Sequence, residues 1–239
     1  GEKELGIVDE REFWTLAVGR ELTDPPRYAE DFLGSKLMQN WEDALDKGID
    51  ADAAQLNLAY VSAEPEIYSW YYRDREEDAS DLSNLPLTAY LINLGMTSMN
   101  APLDVRILDT VGLATPIAAR MPRDPKGRVG HDKFLDPAWQ AADTDTYLDG
   151  LPPFISSMRA KQARAALRSP EISELLATSR EPMSWERFWK NVRYSLGDGR
   201  TLQLSSDPGL YIDADTRRAI RRGANPGMEG AQIAWPVQA

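Results

Sequence analysis

Residues Asp104–Phe134 read DVRILDTVGLATPIAARMPRDPKGRVGHDKF, and the fold is organised around this stretch. Val105, Ile107 and Leu108 form a short run of β-forming residues that stops at Asp109. Gly112 turns the chain, and Thr115-Pro116 starts a helix: Thr can cap orphan N–H groups, and Pro occupies a first-turn position that needs no donor. A short helix, Ile117–Met121, leads into a loop with two prolines, two glycines and the single histidine of the chain, His131. A strand end, a helix start and a polar loop converge here, as they do where α/β folds place their sites.

Outward from this centre the pattern is helices interspersed with a few apolar strands. On the N-terminal side, Asp9 and Glu12 have capping-box spacing ahead of a helix whose Phe13, Leu16 and Ala17 share a face. A helix over Ser35–Lys47 places Leu37, Met38, Trp41 and Leu45 on one side and ends at Gly48. Gln55–Ser62 alternates as a strand; Ile67–Asn84 opens as a strand or short helix and runs into a charged loop; Leu87–Leu94 is a further strand. On the C-terminal side, Asp136-Pro137, Ser169-Pro170, Ser184 and Asp213 start helices, Phe154–Arg168 is another, Thr201–Leu204 reads as a short strand, and Asn225–Ala239 reads as a tail. The expected fold class is α/β (α+β): one mixed domain over 1–239, with a small sheet of about four to five strands, some antiparallel, covered by several helices. Residues 1–50 are a helical lead-in, 51–150 the sheet-containing core, and 151–239 a helical part and tail.

Composition narrows the function classes. The net charge of −11 argues against a general nucleic-acid or anionic-membrane binder, which would need a basic face. There is no cysteine, which excludes disulfides, thiolate chemistry and cysteine-ligated zinc. No apolar run reaches the length of a membrane span, and the opening Gly1 suggests a piece of a longer protein. Nucleotide-binding glycine loops and the GxSxG elbow are absent from the sequence.

Several residue sets could carry chemistry. His131, with Asp132, Lys133 and Asp109, could act as a base or bind hydroxyls; the plain alternative is a loop histidine held by backbone bonds. Asp104, Asp109 and Asp132 flank the glycine turn, and glycoside hydrolysis needs two carboxylates roughly 5–10 Å apart. With 38 acidic residues, a solvated acidic surface competes with that reading. Asp143, Asp145 and Asp149 begin like a calcium loop but lack its closing glutamate, which leaves an acidic connector as the alternative. Trp70, Tyr71, Tyr72, Trp139 and Trp235 lie in polar contexts that suit surface platforms for sugars, with simple packing as the alternative for each, whereas Trp41, Trp185 and Trp189 have the helical spacing of core residues. Arg159, Lys161, Arg164 and Arg168 form a basic helix that could face lipid phosphates or acidic neighbours, or serve as a solvated face with local ion pairs.

The central stretch also carries a resemblance. Asp109, Gly112, Leu113, Pro116, Ala118 and Arg120, followed by Arg128, Gly130, His131 and Lys133, resemble the signature of the C-terminal extracytoplasmic domain of actinobacterial terminal β-(1→2)-arabinofuranosyltransferases. These are polytopic GT-C membrane enzymes, similar also to proteins described as flagellar motor control. The opening GIVDEREFW is similar to the segment that follows their last membrane helix. The resemblance implies a parent enzyme that moves arabinofuranose from decaprenyl-phospho-arabinose to cell-wall arabinan, in arabinogalactan and lipoarabinomannan. Its catalytic carboxylate would lie in a transmembrane half outside this sequence. The domain would then be periplasmic, without cofactor, catalytic residue or metal of its own. It would cap the active site against the transmembrane half and hold a neutral arabinan through Asp109, Arg120, Arg128, His131, Asp132 and Lys133, with Trp70, Tyr72 and Trp139 as aromatic platforms. A free-standing glycoside-processing enzyme and a purely structural docking domain are the rival expectations.

Overall fold

The computed structural model describes residues 10–76, 85–128 and 130–224. Its sheet has four strands, β1 (Gln55–Ala63), β2 (Glu66–Arg73), β3 (Thr88–Tyr90) and β4 (Arg106–Leu108), in the order β2-β1-β3-β4. The hairpin β1–β2 is antiparallel and the other two pairings are parallel, so the mixed α/β expectation holds. Ten α-helices surround the sheet among the described residues: α1 (Arg11–Ala17), α2 (Trp41–Asp50), α3 (Leu94–Ser98), α4 (Pro116–Arg120), α5 (Pro137–Ala142), α6 (Ser157–Ala166), α7 (Pro170–Arg180), α8 (Trp185–Leu196), α9 (Asp198–Thr201) and α10 (Ala214–Arg221).

The strand period of two divides the core. Ala89 and Ile107 pack with Trp41, Leu45, Leu56, Trp70 and Met96 beneath α2 and α3. Tyr90 and Leu108 point the other way, into a larger cluster with Ile117, Leu135, Trp139, Ile172 and Leu176. Arg106 is two residues from Leu108 in an apolar strand and therefore also faces the larger cluster, where it is buried.

Several expected elements take a different form. The Ser35–Lys47 helix is broken: Ser35 caps a 3-10 turn, Lys36–Met38, and α2 starts only at Trp41. The break is at Asn40 (φ +52°), whose amide accepts from Trp70 N and donates to Trp70 O, both at 2.8 Å, and so completes the outer edge of β2. Gly48 lies inside α2 rather than after it; a Cβ there would stand 3.2 Å from Leu87. Leu94 begins α3 instead of ending a strand, and Thr201 closes α9 instead of opening one. On α1 the inward residues are Thr15 and Val18, so Phe13 and Leu16 are exposed. Asp9, Trp235 and the tail lie outside the described residues. The starts at Asp136, Ser184 and Asp213 are as expected, each side chain accepting a backbone N–H two or three residues ahead.

The buried hub at residues 143–146 binds the two parts of the chain together. Asp143 Oδ2 accepts from Tyr90 Oη (2.9 Å), Arg180 (2.6 Å) and Arg106 (3.4 Å). Arg106 also donates to the Asp143 carbonyl and to Thr88 Oγ1. Asp145 Oδ2 accepts from Arg75 (2.5 Å) and Leu85 N (2.7 Å). Arg164 bonds the carbonyls of Thr144 and Thr146 and pairs with Glu76 at 2.8 Å. This overturns two expectations. Asp143 and Asp145 have arginines where a calcium ion would need open oxygens, and Asp149 is paired with Lys161 at 2.6 Å. Arg164 and Lys161 of the basic helix are buried in ion pairs, so that helix is neither a solvated face nor a phosphate-facing patch.

Burial acts to raise the Asp143 carboxyl, but Arg180 and Arg106 beside it outweigh burial and hold its pKa below the ordinary aspartate value. A depressed folded-state pKa contributes stability that is present above the unfolded value and lost as pH falls through the folded one. In urea titrations, stability should fall as the pH drops below about 4, and Asp143→Asn should flatten that dependence. Arg180→Ala should cost about 3–5 kcal/mol, because it leaves a buried carboxylate without its nearest cation.

Candidate functional site

The site region is two loops stitched side by side. β4 delivers Asp109 into the core side of the first loop, where its carboxylate acts as an internal ligand for five successive backbone N–H groups. Oδ2 accepts from Val111 (2.9 Å), Gly112 (2.5 Å) and Leu113 (2.9 Å), and Oδ1 from Ala114 (2.7 Å) and Thr115 (2.8 Å). Thr115 Oγ1 accepts in turn from Asp109 N at 2.9 Å instead of capping α4. Gly112 is required by its conformation (φ +90°) and by space: a Cβ would lie 2.5 Å from the Ala119 backbone. Burial tends to raise the Asp109 carboxyl, but the N–H groups of Ala114, Leu113, Thr115 and Val111 outweigh it, so the acid lies below its ordinary range.

The second loop runs from α4 to α5. It closes on itself through Asp124 N to Asp132 O (2.6 Å), Gly127 N to Asp124 O (2.9 Å) and His131 N to Arg128 O (2.8 Å). Arg123 grips Asp132 Oδ2 at 2.5 Å, and that hydrogen bond holds the Asp132 carboxyl below its ordinary value. Leu135 N donates to Thr110 O at 2.8 Å and ties this loop to the first. α4 is anchored from its other end, where Leu204 N donates to Arg120 O at 2.8 Å.

Of the expected site residues, Arg128, His131, Asp132 and Lys133 lie on the second loop, and Arg120 ends α4 just before it. His131 and Arg128 are exposed or nearly so, Arg120 and Lys133 are half-buried, and Arg128 reaches Glu10 at 3.3 Å. Asp109 is corrected: its fully buried carboxylate is saturated by the backbone and holds the loop instead of touching a ligand. With Asp109 so occupied and Asp132 held by Arg123, these loops do not offer the paired carboxylates that a glycosidase needs.

The aromatic expectations are corrected as well. Trp70 is core, edge-on to Trp41 with ring centres 4.7 Å apart and Nε1 donating to Leu37 O at 2.7 Å. Trp139 is core too, its Nε1 donating to Ser206 O at 3.1 Å. In both, the indole N–H found a carbonyl inside the protein, which a local reading of polar neighbours misses. Tyr72 is half-exposed on β2 beside α2, away from the two loops. Trp185 and Trp189, expected in the core, are exposed. The residues that local patterns missed are Arg123, whose partner lies nine positions ahead, and Tyr194 of α8, whose hydroxyl is buried without a hydrogen bond within electrostatic reach of Arg120.

Asp109→Asn should lower stability by about 2–3 kcal/mol and speed hydrogen exchange at residues 111–115. Gly112→Ala should also destabilise the fold, because it meets both the strained φ and the Ala119 backbone.

Residues 34–214 match the model of the AftB family C-terminal domain. A terminal β-(1→2)-arabinofuranosyltransferase of Corynebacterium glutamicum is 46% identical over 236 residues, covering 96% of this chain and 33% of that protein. One of the same description from Mycobacterium tuberculosis is 32% identical over 197 residues, covering 80% of this chain and 30% of its own. The chain therefore spans about a third of the length of these relatives. No solved structure matches it. With three quarters of its length matched by the family model, the chain belongs to the AftB family, of whose members it represents the C-terminal domain.

Proposed function

We propose that this chain is the acceptor-side domain of a terminal β-(1→2)-arabinofuranosyltransferase, set on the extracytoplasmic face over the active site of the remaining, membrane-embedded part of its parent protein. The observation that carries this reading is the 46% identity over nearly the whole chain to a protein of that activity. The geometry supports a binding role rather than a bond-making one. Among the described residues, Asp109, Asp143 and Asp145 are committed to internal partners, and no helix is long and apolar enough to cross a membrane.

In this reading the donor is decaprenyl-phospho-arabinose and its chemistry takes place elsewhere in the parent. This domain contributes a rigid rim around Arg120, Arg128, His131 and Lys133. Such a rim suits a neutral, hydroxyl-rich arabinan: guanidinium and ammonium groups donate to hydroxyls, and the imidazole both donates and accepts. Asp109 and the Arg123–Asp132 pair fix the two loops so that the ligand need not order them on binding.

Titrating the isotope-labelled chain with arabinofuranosyl oligosaccharides should shift amide resonances around Arg120 and His131–Phe134. Arg120→Ala and His131→Ala should each weaken binding about tenfold (~1.4 kcal/mol) at unchanged melting temperature. The isolated chain should not turn over donor or arabinan. Absence of shifts in the loop would reject acceptor contact, and turnover by this chain alone would reject the non-catalytic role.

A further inference from the structure

α8 is built inside out. Its body-facing arc is polar: Arg187 is buried and pairs with Glu174 at 2.6 Å and Glu181 at 2.9 Å, and it also donates to Asn191, whose amide reaches Thr178 O at 2.9 Å. Tyr194 packs on the same side against the larger core cluster, and its ring lies so close to Gly199 that any Cβ there would clash. Helical spacing then turns Trp185, Phe188, Trp189, Val192 and Leu196 outward as one ridge, about 16 Å long. Trp185 is 79% exposed, Trp189 52% and Leu196 75%. The rings brace one another edge-on, with Phe188 centred 5.8 Å from Trp185 and 5.2 Å from Trp189. The ion pairs beneath hold the helix in this orientation, so the apolar ridge cannot simply roll inward.

We infer that this ridge is a lipid-contacting surface, with α8 lying in the plane of a bilayer interface and its indoles at the headgroup–acyl boundary. Three observations choose this occupant. Trp and Phe beside aliphatic side chains on one face of a helix are what interfacial helices bury. The ridge has continuous aliphatic surface at Val192 and Leu196, where a sugar would require hydrogen-bonding groups. Exposed cations also flank the ridge: Lys190 and Arg193 stand along one edge of it, while Arg187 beneath is taken up by Glu174 and Glu181. Glu186 on the same edge is paired with Lys190 at 2.9 Å. Lys190 and Arg193 can extend along the rim with their stems on the apolar side and their charges in the headgroup layer.

The inference goes beyond the glycan reading, and vesicle binding and arabinan titration can fail independently. The test is flotation of the chain with phosphatidylcholine vesicles, with and without phosphatidylglycerol, together with quenching of tryptophan fluorescence by brominated acyl chains. The intact chain should float, more strongly with phosphatidylglycerol present, and should be quenched. Trp185→Ser/Trp189→Ser, which alters only exposed side chains, should keep its melting temperature, lose the quenched component and partition at least about tenfold less. Lys190→Glu/Arg193→Glu should lose the preference for phosphatidylglycerol. Failure of the intact chain to float, flotation unaffected by the double tryptophan change, or a reversible dimer in sedimentation that this change abolishes would each overturn the inference; the last would mean that a second copy covers the ridge.

Discussion

The fold depends on keeping a carboxylate charged in a place without water. Asp143 is fully buried, and an isolated carboxylate there would be strongly disfavoured. It is tolerated because Arg106 from β4, Arg180 from α7 and the Tyr90 hydroxyl from β3 meet at one of its oxygens. Because each partner comes from a different element, satisfying this charge also specifies how the C-terminal helices sit on the sheet. The neighbouring Asp145 and the carbonyls of Thr144 and Thr146 extend the same requirement to Arg75 and Arg164. Such a network adds little to net stability compared with apolar packing, yet removing one member leaves a stranded charge. Its effect is therefore chiefly on arrangement.

The same economy shapes the candidate site. Asp109 replaces a missing set of backbone partners for the tight turn after β4, so the loop Val111–Thr115 is rigid without belonging to a helix or sheet. Asp132 does a smaller version of this for the following loop through Arg123. Among what the two loops present outward are Lys126, Arg128 and His131, although the chain as a whole is acidic. A surface of that kind offers donors to hydroxyls or anions.

The aromatic residues are distributed against local expectation in both directions. Trp70 and Trp139 have polar sequence neighbours but are buried, each with its indole N–H on an internal carbonyl. Trp185 and Trp189 have an apolar helical pattern but are exposed, because a buried arginine occupies the face that packs. Helical periodicity identifies which residues share a face. It does not say whether that face meets the protein or its surroundings.

The sequence by itself determined the mixed α/β class, the strand starting at Gln55, most helix starts, and the family, since these rest on short-range chemistry: a cap followed by proline, alternation along a strand, and the spacing of the Asp109–Lys133 residues. It also placed the turn at Gly112, which has a positive φ. Only the tertiary structure decided the rest. The role of Asp109 depends on where five later N–H groups point, the break at Asn40 on an edge strand thirty residues away, and the hub on arginines as far apart as residues 75 and 180. Each of these is settled by desolvation, which makes a buried polar group costly until it finds a partner wherever the chain brings one, with no local pattern to announce it.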